Sequence, residues 1–469
     1  MEIERFYLGC LAHASYIVHD GGEAAVIDPQ IDVDLYVDEA RERNLKIKWV
    51  IETHLHADFV SGHLELAERT GATICMGAGS GAGFAHRDLR DGDELWLGRG
   101  RLRILSTPGH TEEGISILAV EAGSDAPLAV FTGDTLFIGD VGRPDLSPDK
   151  TPAQLASMLF DSLHGKLLKL PDETIIYPAH GAGSLCGRQM SSEASSTIGK
   201  ERRTNYALLA RDRQQFIDLL TGDLPPRPAY FTDEVERNRT GAAALEELAP
   251  VPALEAAEVA ALQSSGAKVL DTRPVQDFAA AHIPGSINVA LSGQFASWAA
   301  RVLGVDAKVV LVAEDDDAVQ EARLRLARVG LEDVVGSLRG SIYGWVEAGQ
   351  PVHSLAQISG GEVEKWMDTD PVKKVVVDVR ESSERADGYI PGSVSIPLPE
   401  LGQRLAEIDP EATVLVHCKG GYRSSCAASI LEASGFENVV NLTGGYDAWE
   451  LAHTAGGEPG VHLHALNQR

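Results

Sequence analysis

The chain has 469 residues, with 41 Lys and Arg against 69 Asp and Glu, and a formal net charge of −28. Hydrophobic residues at 44% and charged ones at 23% match globular usage and exclude wholesale disorder. The length accommodates about two to four domains, each able to bury its own core. So acidic a surface repels phosphates and argues against nucleic acid or an anionic membrane as partner, while leaving room for a small anion at a local basic cluster.

The five cysteines, Cys10, Cys75, Cys186, Cys418 and Cys426, are odd in number, scattered and without a CxxC pair. They form neither a disulfide framework nor a thiolate zinc site. The start, MEIERFYLGCLAHASYIVHD, lacks a basic stretch followed by an apolar core, and no apolar run approaches the roughly 18 residues of a membrane span. The expectation is a soluble, cytoplasmic protein with reduced thiols.

In chain order, Ser15–Val18 and Ala24–Asp28 read as strands joined by Gly21-Gly22, Asp34–Arg43 as a helix, and Lys48–Glu52 as a buried strand. That strand runs into Thr53-His54-Leu55-His56-Ala57-Asp58. Further strands at Leu102–Ser106, Leu128–Thr132 and Thr174–Tyr177 run into Thr107-Pro108-Gly109-His110, Gly133-Asp134 and Pro178-Ala179-His180. Four strands thus deliver His or Asp at their C-terminal ends, the outline of a site built along one edge of a sheet. Imidazole and carboxylate are the donors that borderline divalent metals prefer.

Residues 246–258, rich in Ala, Glu and Pro, read as a linker. Beyond it lies an internal repeat. Val269-Leu270-Asp271-Thr272-Arg273 with His282-Ile283-Pro284-Gly285-Ser286 recurs 107 positions on as Val377-Asp378-Val379-Arg380 with Tyr389-Ile390-Pro391-Gly392-Ser393. Val310-Leu311-Val312 recurs as Val414-Leu415-Val416, and Gly340 to Trp345 as Gly444 to Trp449. Each copy alternates strand and helix, the pattern of a parallel α/β sheet. The tail after Trp449 is glycine-rich and carries no signal. The expected domains are 1–245, 255–355 and 358–469.

These residues carry two resemblances. Residues 1–245 resemble the metallo-β-lactamase fold, αββα, in its branch of glyoxalase II and persulfide dioxygenases. Dinuclear hydrolases of that fold extend the motif to H-x-H-x-D-H, whereas here Phe59 follows Asp58 and cannot coordinate; His63 on the next helix is poorly placed to replace it. The resemblance to persulfide dioxygenases implies one iron(II) held by His54, His110 and Asp134, with open positions for O2 and substrate. His56, Asp58 and His180 then orient ligands or water by hydrogen bonds; a competing reading makes His180 a ligand itself. Arg143 resembles the family's carboxylate-binding arginine, Tyr177 and the run Lys200–Arg203 offer further donors, and Cys186 reads as a buried, inert thiol.

The second resemblance is of the whole second copy to a rhodanese, a sulfurtransferase domain, carried by Val414–Ser424 with Asp378-Val379-Arg380, Tyr389-Ile390-Pro391-Gly392 and Gly444-Gly445-Tyr446 to Trp449. Val414–Cys418 reads as a strand ending in a glycine-containing loop, with a helix from about Ser425, so loop amides and helix N-terminus favour a thiolate. Cys418 would carry a persulfide, while Lys419, Arg423 and the loop Gly420-Gly421-Tyr422 would hold a sulfur oxyanion. Cysteine phosphatases use a C-x5-R loop; Cys418 to Arg423 is C-x4-R, a tighter cradle suited to sulfane sulfur. Cys426 reads as packed core. In the first copy Glu314 stands at the position of Cys418, followed by Asp315-Asp316-Asp317, so that copy reads as a degenerate rhodanese with a solvated acidic loop.

Nearly the whole chain therefore resembles fused persulfide dioxygenase–rhodanese enzymes. This implies an α/β protein, O2-dependent oxidation of glutathione or another thiol persulfide to sulfite, sulfur transfer to or from sulfite or thiosulfate, and a role in sulfide detoxification. A homo-oligomer is expected. One alternative is a glyoxalase II-like zinc thioesterase fused to a rhodanese; another is a non-enzymatic sulfur relay or sensor.

Overall fold

The structure, a computed structural model, describes residues 1–222, 224–368 and 373–455; the end of the glycine-rich tail lies outside them. The chain divides into two compact units, Met1–Ala249 with Leu326–Leu331, and Pro250–Arg325 with Glu332 onward.

In the first unit, two six-stranded sheets face each other. One runs, in spatial order, Glu2–Leu8, His13–Asp20, Glu23–Ile27, Lys46–Ile51, Thr73–Gly77 and Arg87–Leu89. The other runs Ser196–Thr197, Ile175–Pro178, Ala129–Gly133, Ile115–Val120, Gly100–Ser106 and Glu94–Leu97. Tyr16, Ile27 and Ile51 of the first sheet meet Ile104, Ile117 and Phe131 of the second in a shared core. Tyr36 and Leu66, from helices Asp34–Glu42 and His63–Thr70, cover the outer face of the first sheet. Leu159 and Phe216, from helices Pro152–Gly165 and Arg213–Thr221, cover that of the second. This is an αββα sandwich. Strands covered on both faces bury nearly every side chain, which is why His13–Asp20 reads as a run rather than an alternation. Gly21 and Gly22 both have positive φ, 59° and 84°, which a two-residue primed hairpin turn requires. The strand Glu2–Leu8 has no counterpart in the sequence reading: it is a half-exposed edge strand and lacks an apolar signature.

The second unit contains the repeat as two five-stranded sheets of identical order, every neighbouring pair parallel. Lys268–Asp271 and Val309–Val312 lie central in one, Lys374–Asp378 and Thr413–His417 in the other. Beneath each sheet edge the repeated Asp-x-Arg forms a buried pair, Asp271 with Arg273 and Asp378 with Arg380, at 2.5 and 2.7 Å. Their surroundings differ. Burial pushes the Asp271 carboxyl up despite Arg273. At Asp378 burial acts in the same sense, but Arg380 and His417 outweigh it and hold the carboxyl down; Arg385 lies 3.0 Å away as well.

Arg273→Met is therefore expected to destabilise the protein by about 3 kcal/mol at neutral pH, because it strands a buried carboxylate. Arg380→Met is expected to cost less, since Arg385 remains. Denaturant unfolding checks the order, and the Arg273→Met deficit should shrink in acid, where Asp271 protonates. No helix among the described residues is long and apolar enough to cross a membrane.

Candidate metal centre and sulfur-carrier loop

Strand Lys46–Ile51 ends beside the loop Glu52–Phe59, which Asn238 of the helix Phe231–Thr240 clamps: its Nδ2 donates to the carbonyls of His56 and Phe59, both at 2.8 Å, and its Oδ1 accepts from Ser61 N at 2.9 Å. The loop presents His54 to His110 and Asp134, delivered by two strands of the opposite sheet. One donor atom from each of the three lies within 4.8 Å of the others. His54 Nε2 and His110 Nε2 are 3.8 and 3.3 Å from Asp134 Oδ2.

Hydrogen bonds behind the rings set their tautomers. His110 Nδ1 donates to the Arg143 carbonyl at 2.9 Å. The Thr53 hydroxyl, whose single proton goes to Asp28 Oδ2 at 2.9 Å, accepts from His54 Nδ1 at 3.0 Å. Both Nε2 atoms are thereby left as lone-pair donors aimed at Asp134, the arrangement of metal-ligating histidines. Burial, above all, lowers the pKa of both rings and keeps them neutral, as ligation requires. His110 Nε2 and both Asp134 carboxylate oxygens are buried without a hydrogen-bond partner. Such a cluster of orphaned N and O donors fits a divalent metal ion.

A second group lies alongside: His180 Nε2 is 3.4 Å from Asp58 Oδ2 and 3.6 Å from Asp134 Oδ1. His56 faces away from the first group, its Nε2 lying 3.1 Å from Asp28 and 3.3 Å from Glu52. Burial opposes its protonation, but those carboxylates outweigh burial and raise its pKa. Phe59 fills the space beside it, 4.4 Å from the His56 ring and 4.0 Å from the His13 ring between centroids.

In the second unit, strand Thr413–His417 ends at Cys418, which is 1% exposed and accepts a hydrogen bond from Gly421 N at 3.1 Å. The following helix starts at Tyr422, three residues earlier than expected, because Gly421 takes φ 98° and turns the loop directly into it. Loop carbonyls are capped in turn: Tyr446 N donates to Cys418 O at 2.7 Å and Asp447 N to Lys419 O at 3.1 Å. A Cβ on Gly445 would lie 2.5 Å from Cys418 O, which accounts for the glycine pair ahead of Trp449. Lys419 is exposed. The Arg423 guanidinium makes a two-pronged pair with Glu384 at 2.5 and 2.7 Å, so gripping an oxyanion would require that pair to open. Cys426 is buried, its thiol pushed up to about 12 by burial.

His417, buried before Cys418, has its pKa lowered to about 4, chiefly by burial against the opposing pull of Asp378. The unfolded chain takes up this proton near its usual 6.5, the folded chain only near 4. Stability is therefore complete above pH 6.5 and declines as pH falls toward 4, by at most about 3 kcal/mol. Unfolding titrations of the parent and His417→Gln proteins should diverge in this window.

Comparison with known proteins finds family matches in both units. Residues 8–180 match the metallo-beta-lactamase superfamily model, and residues 255–348 and 359–452 each match the rhodanese-like domain model. A solved metallo-beta-lactamase from Staphylococcus aureus subsp. aureus COL is 32% identical, covers 72% of this chain and 98% of its own, and superposes with a TM-score of 0.65. The chain belongs to the metallo-β-lactamase superfamily. Two rhodanese-like domains follow its superfamily domain. The mitochondrial persulfide dioxygenase of Mus musculus is 30% identical over 46% of this chain and 78% of its own length. A hydroxyacylglutathione hydrolase from Brucella ovis is 35% identical over 51% and 91%.

Within the superfamily domain, other expected residues fall as follows. The Arg143 guanidinium is engaged by Asp145 at 2.7 and 2.8 Å and by the Leu185 and Pro225 carbonyls; what it offers His110 is its backbone carbonyl. Tyr177 is half-buried and stacks on Phe131 at 5.5 Å. Lys200 pairs with Glu193, Arg202 with Asp172. Cys186 is buried, with its Sγ grouped with donor atoms of Asp134 and His180; burial, then Asp58 and Asp134, pushes its thiol up. His13, Asp28, Glu52 and Asn238 were not legible as site residues. The one local oddity is Asp28, held at φ 53°, a left-handed conformation that Asp tolerates better than most residues.

Proposed function

We propose that the chain oxidises a low-molecular-weight thiol persulfide, such as glutathione persulfide, with O2 and water to sulfite and free thiol. The terminal sulfur gives up four electrons and O2 takes them. The observation that carries this reading is the group His54, His110 and Asp134, two neutral imidazoles and one carboxylate, with Phe59 where a further ligand would sit. Iron(II) bound by that group would supply the one-electron chemistry that O2 requires. Thr53 and the Arg143 carbonyl keep the two imidazoles in the ligating tautomer. His56, Asp58 and His180 orient the neighbouring polar groups, and Phe59 packs against His56 and His13 on that side.

Cys418 then carries sulfane sulfur between a thiol persulfide and sulfite, giving thiosulfate or running in reverse, with Lys419, Arg423 and the amides of Gly420, Gly421 and Tyr422 around the oxyanion. Both activities in one chain keep persulfide and sulfite together, which suits sulfide detoxification in the cytoplasm. The three domains assigned to these steps are residues 1–245, 255–355 and 358–469, the middle one a scaffold without a nucleophile.

A second reading, a zinc thioesterase, is favoured by the second donor group His56, Asp58 and His180 and by likeness to hydroxyacylglutathione hydrolases. Metal analysis with paired assays decides. Iron with O2 uptake on glutathione persulfide is expected; zinc with S-lactoylglutathione cleavage and no O2 uptake would replace the proposal.

A further inference from the structure

The loop that carries Cys418 is one wall of a cavity of about 320 Å³. Gly420, Gly421 and Tyr422 form that wall, Gln357 and Asn441 line it from neighbouring strands of the same copy, and Glu314 lines it from the first copy. Glu314 is the residue standing in register with Cys418. Both loops of the duplication therefore address one space, large enough for the body of a small molecule.

Two features of its lining select what that body is. The first is Asn441, on the strand Val439–Leu442, which is 1% exposed with neither Nδ2 nor Oδ1 hydrogen-bonded. A buried carboxamide left without partners is an exception that calls for a ligand. Its adjacent donor and acceptor complement a secondary amide, accepting from the N–H and donating to the C=O. The second is charge. Among the described residues, the lining includes the Glu314 carboxylate and no Lys or Arg, while Arg423 is held by Glu384. A dianion resting there meets the Glu314 carboxylate, with no Lys or Arg in the lining itself to offset it.

We propose that this cavity binds the body of a thiol that carries a secondary amide, with Asn441 pairing the amide and Glu314 disfavouring thiosulfate, so that Cys418 exchanges sulfane sulfur with an amide-bearing thiol in preference to thiosulfate. This rests on the reading of Cys418 as sulfur carrier. In the exchange, a thiolate attacks the outer sulfur of the Cys418 persulfide and a new sulfur–sulfur bond forms. The bond to Cys418 Sγ breaks with its electron pair staying on Cys418, and no external oxidant or reductant is needed.

The test uses the full chain with Cys418 charged by excess thiosulfate, freed of it, and discharged in single turnovers. Two neutral thiols are compared, N-acetylcysteamine, which has one secondary amide, and 2-mercaptoethanol, which has none. N-acetylcysteamine should saturate at about tenfold lower concentration, and Asn441→Leu should erase that advantage while 2-mercaptoethanol discharges as before. Glu314→Gln, a change at an exposed position, should raise the rate of charging by thiosulfate several-fold relative to discharge by N-acetylcysteamine. Equal saturation of the parent by the two thiols, an advantage that survives Asn441→Leu, or an unchanged ratio in Glu314→Gln each overturns the proposal. Should Asn441→Leu not fold, the Glu314→Gln ratio decides. Failure of Cys418 to take up sulfur from any donor would instead overturn the sulfur-carrier reading. Calorimetric binding of the unreactive S-methyl thioether of N-acetylcysteamine then tests the cavity by itself, and absence of binding overturns it.

Discussion

Asp134→Ala is expected to strip the N-terminal centre of its metal and to lower O2 uptake on a thiol persulfide by more than about a hundredfold. Outer partners of metal ligands are commonly worth about 10–100-fold in affinity or activity, and Asp134 stands inside that shell. Its carboxylate is the one anion shared by His54, His110 and His180. Without it, the group His54, His110 and Asp134 keeps two neutral imidazoles and loses the one carboxylate that balances the charge of a divalent ion. Metal content and an oxygen electrode read the result. His56→Ala should act through position instead, because His56 faces Asp28 and Glu52, with a loss inside that 10–100-fold range. Full metal retention and O2 uptake in Asp134→Ala would remove the assignment of this centre.

Cys418→Ser is expected to abolish sulfur transfer between thiosulfate and an acceptor, by about a thousandfold or more, while O2 uptake on persulfide continues at the parental rate. The serine hydroxyl is too poor a nucleophile toward sulfane sulfur to replace the Cys418 sulfur, which accepts from Gly421 N beside the start of a helix. The two activities should therefore separate cleanly by mutation: Asp134→Ala loses oxidation and keeps transfer, and Cys418→Ser does the reverse. Cys426→Ser should leave transfer in place, because that thiol is core packing. Loss of transfer in Cys426→Ser with retention in Cys418→Ser would exchange their roles.

Much of this molecule is written in local sequence. His54, His110, Asp134 and His180 sit directly after apolar strands, and a side chain at a strand end must emerge at the sheet edge whatever the rest of the fold does. The repeat gives the parallel sheets, because alternating strand and helix admits few other solutions. Phe59 could be weighed from its place in the motif alone, and Glu314 from its register with Cys418.

What sequence left open depends on groups far apart along the chain. Asn238 lies roughly 180 residues beyond the loop it clamps. Asp28 becomes a partner of His56 only when the neighbouring strand Glu23–Ile27 brings it within 3.1 Å. The Nε2 ligating tautomer of His110 follows from a backbone carbonyl at position 143, and backbone carbonyls leave no mark in sequence. Likewise Arg423 reads as an anion-binding residue until Glu384 is found across its fork. Composition and motif determine which chemical groups this protein owns and at which strand ends they emerge, since covalent order and periodicity dictate both. Tertiary structure alone decides which of those groups are neutral, which are paired, and that Glu314 and the Cys418 loop line one cavity, because each is a matter of distance and burial between residues that local sequence does not connect.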